Sequence, residues 1–397
     1  MSAPLRIDLI CEVLDNFGDA GISWRLACQL ADEWGAHVRL CIDQPELLTL
    51  WAARAQARSR PETPVPAVID LSAADFYEVH HTPETRPELI ITMLGSATPA
   101  ALERLIRDES IPWLRYEYLT AETWIDSFHG LPSLKPDSGA TEWFYYPGFS
   151  ADCGGLLREP DLIERLDRFA APDHAERQAW LCEHGLDSPP GHLRICLFGY
   201  PDQPTRQFLA ALQAVESPVT VLMSASLAQA LDLIDRPGGT DHLHIKPHAW
   251  LDQPDFDLLL ASCDLNIVRG EDSWLRAQWA GQPMLWQPYR VADGTHFDKL
   301  AAFLDRLLAD APAPAGTAIA QMMAAINGQT DPGPALADWL AHRQQIQAWH
   351  RQWRFRLAAQ TSLTQRLARF CTDKLQLPAL SRRIPNLGVR PPMDQRG

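Results

Sequence analysis

Two short stretches concentrate reactive side chains. LDNFGDAG, residues 14–21, sets Asp15 and Asp19 around Gly18 directly after an apolar run. RGEDS, residues 269–273, follows a second apolar run and packs Arg269, Gly270, Glu271, Asp272 and Ser273 together. Paired carboxylates suit the orientation of a cation and the acceptance of a proton. A helix N-terminus beside an arginine and a hydroxyl suits an anion such as a diphosphate. Neighbouring carboxylates repel that anion, so Glu271 is expected to aim at a reacting centre or a sugar hydroxyl. Gly18 and Gly21 are expected to shape a tight turn that brings backbone N–H groups toward a ligand. Both stretches also have a plainer reading. Asp19, Asp272 or Ser273 caps a helix, and Arg269 pairs with Asp272 in solvent.

Aromatic residues fall on other predicted strand ends: Phe198 and Tyr200 in LFGYPD, then Trp250, Gln253 and Phe256 in AWLDQPDF. Aromatic faces plus one amide suit a planar nucleobase, by stacking and by edge hydrogen bonds. Taken singly, each of these rings is more readily explained as core. The DFD at 255–257 imitates a metal-binding pair but opens a helical segment, so no metal is assigned to it. His80 and His81 have no third ligand at metal spacing. The chain contains neither a G-x-G-x-x-G fingerprint nor a glycine-rich Walker loop.

These residues need elements to hold them. RIDLICEV, HVRLCID, AVIDL and ELIITMLGS read as strands, alternating with helices near 22–35, 45–57 and 99–108. From about 113 to 160 the rhythm gives way to aromatic, turn-rich sequence. A second alternating series starts at RICLFGY and ends at MLWQPY, followed by helical sequence from about 295 to 375. Two βα series predict two α/β domains with mostly parallel sheets. The expected division is 1–185, 186–360, and a C-terminal helix with a flexible tail at 361–397.

A chain of 397 residues is long enough for two full cores. With 35 basic against 50 acidic side chains the net charge is −15, which argues against nucleic acid as a partner. A cationic group must then be drawn in by a local acidic site. No apolar run reaches the length of about 18 residues that a membrane span needs. Eight scattered cysteines without a C-x-x-C pair predict buried, reduced thiols and a cytoplasmic location.

With these residues in view, the chain resembles the EarP family of protein-arginine rhamnosyltransferases. The resemblance rests on VLDNFGDAGISWRLACQLA, FHGLPS, YYPGFSADCGGLLRE, LFGY and LNIVRGEDSWLRAQWAGQP, and runs from about residue 6 to 370. It implies a GT-B fold, two Rossmann-like domains facing across a cleft. It also implies inverting transfer of L-rhamnose from dTDP-β-L-rhamnose to an arginine of elongation factor P, with no metal or other cofactor. Asp15, Asp19 and Glu271 fall on the family's catalytic carboxylates. Phe17, Gly18, Phe198, Tyr200, Trp250, Gln253, Phe256, Arg269, Gly270, Asp272 and Ser273 fall on donor-binding positions. Trp250 stands where the family is expected to carry Phe, and Gly199 where a different small residue is expected. Asp19 is favoured as the base with Asp15 and Glu271 orienting the acceptor, although spacing leaves these roles exchangeable. Other nucleotide-sugars or acceptors, a dinucleotide-dependent oxidoreductase and a non-catalytic scaffold are the competing readings.

Overall fold

The computed structural model describes residues 3–14, 17–58, 64–72, 81–171, 175–233, 242–377 and 380. The chain forms two compact units, Met1–Arg158 with Gln360–Gly397, and Glu159–Ala359. In the first unit β1 (Arg6–Cys11), β2 (His37–Ile42), β3 (Ala67–Asp70), β4 (Leu89–Met93), β5 (Trp113–Tyr116), β6 (Pro132–Leu134) and β7 (Thr141–Tyr145) form one sheet. Its order is β3-β2-β1-β4-β5-β7-β6, parallel throughout except for the edge pair β6–β7. β1 and β4 are buried on both faces, as parallel strands under helices require, and are apolar except for Arg6, the ion-paired Asp8 and Thr92. On one face Ile10, Cys41, Ile90 and Trp113 pack with Leu102 and Ile106 of the helix Ala100–Asp108. The aromatic region after residue 113 therefore continues the sheet rather than interrupting it.

The second unit holds β8 (Leu193–Leu197), β9 (Val219–Ser224), β10 (Leu243–His248), β11 (Leu265–Arg269) and β12 (Met284–Gln287). These strands run parallel in the order β10-β9-β8-β11-β12. Helices Ala313–Ile326 and Pro332–Ala358 pack closely together, and the first of them lies against β12.

The division of the chain differs from the one expected. Residues from Glu159 onward belong with the second unit. Helix Leu162–Ala170 packs on helices Gln253–Ser262 and Asp272–Ala280, and the Arg276 guanidinium donates to Glu159 at 2.7 Å. Helix Leu363–Asp373 belongs instead with the first unit. Its Arg366 donates to the carbonyls of Ser150 (2.7 Å) and Cys153 (2.9 Å), and Thr364 donates to Glu33 (2.7 Å). Most of the expected flexible tail lies outside the described residues. None of the eight cysteines forms a disulfide; Cys182 is exposed, Cys28 half-buried and the other six buried. Among the described residues no helix is long and apolar enough to cross a membrane.

Candidate functional site

Each sheet has one point where its strand order reverses direction, and crevices for ligands open there at the carboxyl ends of the strands. In the first unit that point lies between β1 and β4, so the turn after β1 occupies it. Asp19 sits in the first turn of the helix Phe17–Trp34 and is only 2% exposed. Its carboxylate accepts the Leu14 N–H at 2.8 Å and the Tyr118 hydroxyl at 3.2 Å, one on each oxygen. A buried carboxylate held on both oxygens has a fixed plane.

The turn is built differently from the sequence expectation. The helix begins at Phe17 rather than near Ile22, so Gly18 and Gly21 are helical residues and neither has positive φ. The backbone N–H groups that leave β1 do not point at a ligand. Glu12 N–H donates to Ser96 Oγ (2.8 Å), Val13 N–H to Asp43 (3.0 Å), and Leu14 N–H to Asp19. Side chains from three parts of the chain thus take the N–H groups of residues 12–14. Burial pushes the Cys11 thiol beneath it up to about 12, with Asp19, Asp43 and Glu12 adding to the rise. That thiol stays protonated and takes no part as a nucleophile. Asp15 and the Phe17 side chain lie outside the described residues.

Sequence reasoning missed Tyr118 and Glu117, which follow β5 in the stretch WLRYEYL. Burial raises the Glu117 carboxyl above its ordinary range, opposed by Arg115 and reinforced by Glu142. The available signal was a run of aromatics and an acid at a strand end, but its bond to Asp19 spans 99 residues and no local pattern announces it.

In the second unit the reversal lies between β8 and β11. The turn after β8 carries Phe198 and Tyr200, and the turn after β11 carries residues 269–273, so the structure brings together two stretches that were read separately. Arg269 lies over both rings, its guanidinium carbon 5.1 Å from the Phe198 centroid and 4.9 Å from that of Tyr200. Phe256 meets Phe198 edge-on at 5.2 Å. The aromatic faces thus stack on a guanidinium, a favourable cation–π arrangement, instead of pairing as an open sandwich. The Gln253 amide donates to Asp272 at 3.4 Å. Trp250 is half-buried near the end of β10.

The helix Asp272–Ala280 starts from Glu271 with no side-chain cap, so neither Asp272 nor Ser273 plays the capping role considered for it. The Ser273 hydroxyl instead accepts the Arg269 N–H at 3.1 Å and donates to the Arg269 carbonyl, which ties the turn to itself. Gly270 adopts φ +59°, a conformation that suits glycine, and its carbonyl accepts the Trp286 indole N–H at 2.8 Å. Gln287 was not anticipated. Its amide oxygen accepts the Tyr200 N–H at 3.1 Å, and it would lie 2.5 Å from any Cβ at residue 199. A side chain at residue 199 would have to displace that amide.

Two other candidates resolve as structural. Asp257 of the DFD accepts two parallel bonds from Arg276, at 2.8 and 2.6 Å, inside the helical layer. His81 meets Asp8 at 3.0 Å, and Asp8 also receives a two-pronged bond from Arg39. His80 lies outside the described residues. Among the described residues no three His, Cys, Asp or Glu side chains gather as a metal-binding group.

Two Rossmann-like units with candidate groups on their strand ends define a GT-B glycosyltransferase. A glycosyltransferase from Rickettsia africae shares the fold, with a TM-score of 0.51 at 12% identity over 97% of this chain and 100% of that one. A solved structure concerned with EarP-mediated arginine glycosylation of translation elongation factor EF-P matches with a TM-score of 0.62 and 30% identity. It covers 93% of this chain and 99% of its own. Residues 7–372 match the family described as Elongation-Factor P (EF-P) rhamnosyltransferase EarP, and the chain belongs to that family. A protein-arginine rhamnosyltransferase of Pseudomonas putida is 37% identical over 393 residues, spanning 93% of this chain and 99% of that protein. One of Neisseria meningitidis is 32% identical, spanning 76% and 79%. Membership sets aside the oxidoreductase and scaffold readings.

Proposed function

We propose that this enzyme transfers L-rhamnose from dTDP-β-L-rhamnose to an arginine side chain of elongation factor P, in the cytoplasm and with inversion at the sugar carbon. The observation that carries the acceptor half is the buried Asp19 carboxylate, held by Leu14 and Tyr118 on the acidic turn after β1. An arginine guanidinium stays protonated at neutral pH, its pKa lying above about 12, and is a poor nucleophile. Carboxylates localise its charge and free one nitrogen. Asp15 and Glu271 orient it. That nitrogen attacks the anomeric carbon as the bond to dTDP breaks, and Asp19 accepts the proton released as the C–N bond forms. The product arginine keeps its positive charge, and dTDP leaves as the anion.

The donor half is supported by the uncapped helix N-terminus at Glu271, with Arg269 beside it. Developing negative charge on the diphosphate is met there by backbone N–H groups and a guanidinium, so the transfer requires no metal ion. Phe198, Tyr200, Trp250 and Phe256 supply faces for the thymine ring. Because the Arg269 guanidinium lies over two of those faces, donor binding requires it to swing from the rings toward the phosphates.

Intact-mass spectrometry of elongation factor P, incubated with this enzyme and dTDP-rhamnose, is the direct test. One added deoxyhexose is expected, with the same rate after EDTA treatment. Unchanged mass would overturn the reaction. Loss of activity on chelation with rescue by manganese or magnesium would overturn the metal-free assignment.

A further inference from the structure

The stretch after β5, residues 117–134, contains Glu117, Glu122 and Asp126 and no lysine or arginine. Four of its large apolar side chains turn outward, while Leu119 and Ile125 are buried: Trp124 is 45% exposed, Phe128 50%, Leu131 46% and Leu134 65%. The aromatic members are contiguous. Trp124 meets Phe128 edge-on at 5.8 Å and Tyr146 at 5.3 Å, and Tyr146 stacks along Phe144 at 5.9 Å. Apolar side chains scattered singly over a surface need no explanation, but a connected patch of them marks an interaction site.

Charge narrows the occupant. The two cations that flank the stretch, Arg115 and Lys135, both turn onto the buried Glu142, at 2.8 and 2.5 Å. The charges that the stretch itself carries are therefore acidic, which disfavours anionic lipid and nucleic-acid phosphate. It complements a basic polypeptide. The patch also runs into the acidic turn. Tyr118 donates to Asp19, and burial, reinforced by Glu117, raises the Tyr146 hydroxyl.

We propose that this surface docks the acceptor protein through a basic, arginine-bearing segment, with Trp124 and Phe128 as its anchors. The assignment rests on the reading of Asp19 as the group that receives the acceptor arginine. Aromatic side chains are over-represented among the few residues that dominate binding energy at interfaces, and truncating two of them gives a large loss.

The test uses the full chain carrying Trp124→Ala and Phe128→Ala together, with Leu134→Ala as a milder second variant. Both anchors are about half exposed, and a thermal melt verifies the fold. Calorimetry without donor should show affinity for elongation factor P falling about tenfold or more in the double variant. KM for the protein acceptor should rise by the same factor, while kcat at saturating acceptor and dTDP affinity stay at wild-type values. Unchanged acceptor affinity in the folded double variant would overturn the proposal. So would a wild-type dimer that the double variant converts to monomer, because the patch would then serve self-association. Wild-type binding of elongation factor P that weakens in the variant, with no sugar transferred by either, would support the surface and sink the reaction instead.

Discussion

The two candidate turns occupy equivalent places in their sheets, at the strand-order reversal on the carboxyl side, yet use their backbone N–H groups differently. After β1, side chains take the N–H groups of Glu12, Val13 and Leu14, and the buried Asp19 carboxylate stands beside them. After β11, the helix start is left without a side-chain cap, and an arginine lies beside it on aromatic faces. In the proposed reaction the first position receives the cationic acceptor, and the second, through Arg269 and the helix start, meets the diphosphate. The difference shows that a Rossmann-like reversal point has no inherent charge preference. What decides is whether the first N–H groups are closed by side chains or left to a ligand.

The sharpest way to break this comparison is Asp19→Asn. The amide oxygen can still accept from Leu14 N–H while its NH₂ donates to the Tyr118 hydroxyl, so the turn should stand. The single-turnover rate should fall by about 10²–10⁴, the range for a lost general base, with dTDP affinity unchanged. A full rate in the folded variant would remove Asp19 from the chemistry.

Acid should weaken both units alike, despite their different sites. Burial pushes His350 of the second unit down to about 4, and burial with Arg366 nearby does the same to His129 of the first. His129 accepts the Tyr146 N–H at 3.0 Å, which requires a neutral ring nitrogen. An unfolded histidine titrates near 6.5, so between there and about 4 the unfolded chain binds protons that the folded chain refuses. The stability is present above pH 6.5 and is lost as pH falls toward 4, by about 3 kcal/mol at most for His350. Denaturant melts at pH 7 and 4.5 should show this loss, and His350→Gln should flatten it. A pH-independent midpoint would contradict it.

Two smaller effects sharpen the second unit's side. Phe256→Ala removes the edge contact to Phe198 and should weaken dTDP binding by about 1–3 kcal/mol, read by calorimetry. Unchanged affinity would take Phe256 out of the pocket. Ser273→Ala removes the hydroxyl that closes the 269–273 turn and should cost about 1 kcal/mol of donor affinity, with a near-normal rate at saturating donor. If Ser273→Ala and Asp19→Asn gave the same kinetic profile, the division between acceptor side and donor side would fail.

Much of this was legible in the chain. The βα alternation announced two parallel sheets, because strands buried on both faces must read as continuous apolar runs. Residues 14–21 and 269–273 stood out because each sets two carboxylates on one strand-to-helix turn, more than a single helix cap needs. The turn geometry was not legible. A helix starting at Phe17 turns two glycines from hinge residues into helical ones, and boundaries of that kind depend on side-chain partners from other strands.

By itself the sequence determined the fold class, the family and the two reactive stretches, since these depend on periodicity and on local runs of residues. Only the tertiary structure decided where the units divide, because Glu159 is claimed by Arg276 and helix Leu363–Asp373 by carbonyls 210 or more residues away. It likewise decided that Tyr118 braces Asp19, that Arg269 rests on Phe198 and Tyr200, and that Gln287 requires Gly199. Each of these contacts joins residues distant in the chain, and strand order, which no local pattern encodes, is what brings them together.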